Sequence, residues 1–63
     1  MERQQLQQEI DELRIELNER LKRHSKRGEY LYTLKCCEAY IDHPSVEVII
    51  KAIRQLIQPI NLR

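Results

Sequence analysis

Residues 20–27 read RLKRHSKR, so Arg20, Lys22, Arg23, Lys26 and Arg27 set five formal positive charges in eight positions with no acid among them. A run of this kind can grip phosphates, and a second copy of the chain would double its field. The same cations would also suit the end of a helix, where they offset the negative pole of its dipole. Glu16, Glu19 and Glu29 flank the run, and no aromatic or Asn/Gln cluster adjoins it to read bases. A solvated helix end is therefore the first reading, and nucleic-acid contact the alternative.

The other reactive side chains carry less. Cys36, Cys37, His24 and His43 are all types that zinc accepts, but structural zinc draws on spacings such as C-x2-C that let a loop wrap the ion. Adjacent cysteines on a helix point about 100° apart, which also argues against a disulfide between them. Cys37 is expected as a small buried hydrophobe, with Cys36 at the margin of the same face. Asp42 and His43 are neighbours, which does not present a base to a carboxylate as a triad requires, and no Ser or Cys is spaced to be their nucleophile. A single glycine, Gly28, rules out a glycine-rich phosphate loop. Neither catalysis nor a metal or cofactor is expected.

The stretch Ile10 to Asn18 reads IDELRIELN and looks like the first helix of the sporulation aspartyl-phosphate phosphatases, small helical regulators. That family's second-helix SQELD motif is replaced here: Glu38 to Asp42 reads EAYID and keeps only the final acid. The resemblance implies a further alternative, a phosphatase regulator whose removal of a response regulator's phosphoryl group depends on Asp42.

The elements that must carry these residues are helices. Leu6, Ile10, Leu13, Leu17 and Leu21 recur at spacings of four, three, four and four, which aligns them along one side of a helix while Gln, Glu, Asp, Arg and Lys fill the rest. The first helix is predicted from about residue 2 to about 26, closed by Gly28 in the left-handed conformation. Glu16 with Arg20 and Glu19 with Arg23 would form i, i+4 pairs along it. A second helix, about 29–42, repeats the spacing through Tyr30, Leu34, Cys37 and Ile41, with Leu31, Ala39 and Tyr40 widening the face so that both flanks are covered. Tyr30 and Tyr40 fit core-edge positions, and Tyr32 points away. Pro44 marks a boundary capped by Asp42 or His43. A third helix, about 44–58, places Val46, Ile49, Ile50, Ile53, Leu56 and Ile57 on one side until Pro59 stops it, leaving residues 59–63 as a short apolar tail through Ile60 and Leu62.

The fold class is thus all-α: a long N-terminal amphipathic helix and two shorter ones in a single small helical domain. About 25 residues of helix span about 38 Å, so the Leu6 to Leu13 end would overhang its shorter neighbours. Sixty-three residues supply little core. Both points favour homodimerisation, as a coiled coil or a four- or six-helix bundle. Leu6, Ile10, Leu13, Leu17, Leu34, Ile41, Ile49, Ile50, Ile53 and Ile57 are the expected core and self-association residues. A formal charge of +1 commits the chain to no anionic partner, and the lack of a signal-like or long apolar segment points to the cytoplasm, away from membranes. The expected function is binding another protein, as a regulator, adaptor or chaperone-like module.

Overall fold

The apolar stripe of the first segment folds onto its own chain. A computed structural model describes the backbone of residues 2–61 and the side chains of residues 2–57. It contains α1 (Arg3–Glu19), α2 (Arg27–Ala39) and α3 (Ser45–Asn61), which pack as an all-α three-helix bundle. The bundle measures 32 × 19 × 15 Å.

Helix α1 ends at Glu19, seven residues short of the expected Lys26. The reason lies in the stripe itself. Its last apolar member is Leu21, so a helix continued to Lys26 would carry only cations into water and bury nothing further. The chain instead turns over residues 20–26, with Leu21 buried beneath the turn. The Glu16–Arg20 pair forms at 3.4 Å. The Glu19–Arg23 pair does not form among the described residues, because Arg23 lies beyond the helix end.

Gly28 is not a left-handed cap. It sits in the first turn of α2, and no described residue has positive φ. The turn is closed from the other side, where the N–H of Lys26 donates to Nδ1 of His24 at 3.0 Å and the N–H of Arg27 to the His24 carbonyl at 3.1 Å. The same device starts α3: the N–H of Ser45 donates to Nδ1 of His43 at 3.1 Å, and that of Val46 to the His43 carbonyl, also at 3.1 Å. Of the two caps expected for α3, His43 is the one used.

Helix α2 spans 27–39, ending three residues before the expected 42, and Ile41 reaches the core from the connection that follows. Helix α3 begins at Ser45 and passes Pro59 to end at Asn61. A proline so near the end of a helix removes one N–H bond from the last turns and leaves the preceding ones intact. The tail expected at Ile60 and Leu62 falls outside the described side chains.

Helices α1 and α3 are each 17 residues, about 25 Å, so the lengths match and the expected overhang of Leu6 to Leu13 is absent. Leu6, Ile10, Leu13, Leu17 and Leu21 from the first segment meet Leu34, Cys37 and Ile41 and, from α3, Val46, Ile50, Ile53 and Ile57. Tyr30, Leu31 and Ile49 pack against this core from its edge. Ion pairs seam its rim. Arg14 donates to Glu38 at 2.8 Å and joins α1 to α2, while Arg54 meets Glu9 at 3.1 Å and joins α3 to α1. Arg3 reaches Asp42 at 3.5 Å.

Candidate interaction site

The ten residues expected to drive self-association occupy the interior of one chain. Leu6, Ile10, Leu13, Leu17, Leu34, Ile41, Ile50, Ile53 and Ile57 are buried there, and Ile49 is half-buried at its edge. The apolar surface that the single chain leaves exposed is a different one.

That surface lies between α2 and α3, on the side away from α1. The expectation that both flanks of α2 are covered fails here: Ala39 is exposed, and Tyr40, placed at the core edge by its spacing, is 69% exposed. Leu56, expected on the buried side of α3, is 58% exposed, and Val48 is 68% exposed. The helical repeat explains the grouping. Tyr32 and Cys36 on α2 and Tyr40 just past its end follow one another at four-residue steps, and Val48, Ala52 and Leu56 do so along α3. Each helix thus carries a second, weaker apolar strip beside its core strip. Along the α2–α3 seam runs an open groove of about 340 Å³, lined by Thr33, Cys36, Tyr40, His43, Ser45 and Ile49 with Cys37 and Val46 at its floor. Among the described residues no lysine, arginine, aspartate or glutamate lines it.

Val48 and Leu56 are the residues that periodicity assigned to no role or to the wrong one. The signal was present as the i, i+4, i+8 recurrence of Val48, Ala52 and Leu56, but the stronger stripe through Val46, Ile50, Ile53 and Ile57 overlies it.

The cysteines divide by depth. Cys37 is buried and its thiol is pushed above its ordinary pKa, first by burial and then by the neighbouring Cys36. Cys36 is half-exposed on the groove wall. Among the described residues no group of three or more His, Cys, Asp and Glu side chains is placed to hold a metal ion. Asp42 and His43 are engaged separately, Asp42 with Arg3 and His43 with the start of α3.

The basic run occupies the α1–α2 turn. Arg20 pairs with Glu16, and Arg27 donates to Oδ1 of Asn18. Lys22, Arg23 and Lys26 are exposed and have no ion-pair partner among the described residues. The structure also places an aromatic pair beside the run, His24 and Tyr30, with ring centroids 5.8 Å apart.

No described helix is long and apolar enough to cross a membrane. Compared with protein-family models, with curated proteins and with solved structures, the chain matches none.

Proposed function

We propose that this chain is a small non-catalytic helical interaction module that pairs with a second copy of itself through the outer α2–α3 face and, as a cytoplasmic regulator or adaptor, presents the resulting assembly to a partner protein. The observation that carries the reading is the largely apolar α2–α3 groove, with exposed Tyr40 and His43 in its lining and Val48 and Leu56 exposed elsewhere on α3. An apolar face of this kind marks an interaction surface. A second copy fits it because, among the described residues, neither groove brings a lysine, arginine, aspartate or glutamate from its lining against the other. A face of a 32 × 19 Å body offers about 600 Å² in projection, close to the roughly 800 Å² that each partner contributes to a specific interface.

Association would also add apolar burial to a core of limited size, at about 25 cal/mol for each Å² removed from water. Sedimentation across a concentration series tests the pairing. The expected result is a dimer that dissociates on dilution, and a Val48→Asp variant that stays monomeric with unchanged helical circular dichroism. A wild-type mass of 7.7 kDa at every concentration would overturn it.

A further inference from the structure

We propose that the α1–α2 turn is a sequence-independent binding site for the phosphate backbone of nucleic acid, held by Lys22, Arg23 and Lys26. The pattern of ion pairing supports this. Arg3, Arg14, Arg20, Lys51 and Arg54 each meet a carboxylate within the fold, across helices or along one. Lys22, Arg23 and Lys26 meet none among the described residues, although they crowd into five positions of one turn. Their mutual repulsion is relieved when a dense line of negative charge lies against them.

The turn presents these cations from a fixed frame. Leu21 anchors it in the core, the N–H of His24 donates to the Leu21 carbonyl at 2.9 Å, and the His24 ring packs on Tyr30 while its Nδ1 accepts from Lys26. Such a frame lowers the ordering cost of binding. Duplex nucleic acid carries one charge per about 1.7 Å of axis, a density that engages several closely spaced cations at once. An anionic membrane fits less well, because Leu21 is the run's sole apolar side chain and it is buried, leaving nothing to insert. The site holds positions rather than reads bases: contacts of lysine and arginine to phosphate carry no sequence information. It is separate from the α2–α3 groove and does not depend on dimerisation.

Fluorescence anisotropy with a labelled DNA duplex of about 20 base pairs, titrated between about 25 and 200 mM salt, tests the site. The expected result is binding whose log–log salt slope is about −3, one unit for each unpaired cation. Combined Lys22→Glu, Arg23→Glu and Lys26→Glu substitution weakens it by at least about tenfold, and a scrambled duplex binds within about twofold of the first. Lys35→Glu, which removes an exposed cation elsewhere, serves as the control and changes affinity by less than about twofold. Because all four side chains are exposed, circular dichroism of the variants should match that of the parent. The proposal is overturned by absence of binding at the lowest salt, by equal losses in the control and the triple variant, or by tighter binding to phosphatidylserine vesicles than to DNA.

Discussion

His24 and His43 perform the same local task at the starts of successive helices, each using Nδ1 as an acceptor for the N–H two residues on. An imidazole can do this only with that nitrogen unprotonated, so the bond also selects the tautomer. Replacing His43 by Ala should lower unfolding stability by about 1 kcal/mol, and His43→Asn, whose side-chain oxygen can accept the same N–H, should recover most of it. Urea denaturation of the three proteins measures the difference. Glu38 makes a second residue-scale prediction. Hydrogen bonds from Arg14 and then Gln7 hold its carboxyl below the usual range, which favours the charged form in the folded state. A carboxylate whose pKa falls on folding stabilises the protein above its unfolded value, about 4.3, and that contribution disappears as pH drops through the lowered folded value. The urea midpoint should therefore fall on acidification through and below the mid-fours, and Glu38→Gln should flatten that part of the profile. An unchanged slope in the variant would show that other carboxylates set it. The cap at His43 was legible as one of two candidates beside Pro44, whereas His24 at the start of α2 and the cross-helix role of Glu38 were not, since they depend on where α1 ends and on a chain reversal that no local spacing encodes.

At the scale of elements, the positions of the three helices follow from periodicity, and the errors fall at their ends. Leu6 to Leu17 and Val46 to Ile57 were legible as buried stripes because helix geometry converts four- and three-residue spacing directly into a face. The end of α1 was not, because the residues after Glu19 are good helix formers and the decision belongs to packing: beyond Leu21 a longer helix has nothing to bury. Gly28 looked like a stop signal for the same reason and proves to be an ordinary position in the first turn of α2. Nothing lies within 4 Å of where its Cβ would be, and its φ is negative. Gly28→Ala should consequently stabilise the fold by about 0.5 to 1 kcal/mol, by reducing the freedom of the unfolded chain. For a domain of this size that corresponds to a rise of several degrees in Tm, read by thermal circular dichroism. A decrease would mean that the turn needs a conformation only glycine supplies.

For the whole molecule, the matching lengths of α1 and α3 replace the expected overhang with a core closed inside one chain. With the Leu6 to Leu17 stripe buried, the proposed pairing falls to the outer α2–α3 face, where Tyr40, Val48 and Leu56 lie in water. The chain also divides its labour by charge. Among the described residues its flanks are laced by ion pairs, the α2–α3 groove is free of lysine, arginine and carboxylate side chains, and unpaired cations gather on the α1–α2 turn. Nucleic acid along that turn and a second copy on the groove would occupy different surfaces. Isotope-filtered NMR on an equimolar mixture of labelled and unlabelled protein decides between the two faces most directly. Intermolecular contacts are predicted from Tyr40, Val48, Ile49 and Leu56, with none from Leu6, Ile10, Leu13 or Leu17. Contacts between copies through the latter four, or no intermolecular contacts at millimolar concentration, would contradict the account.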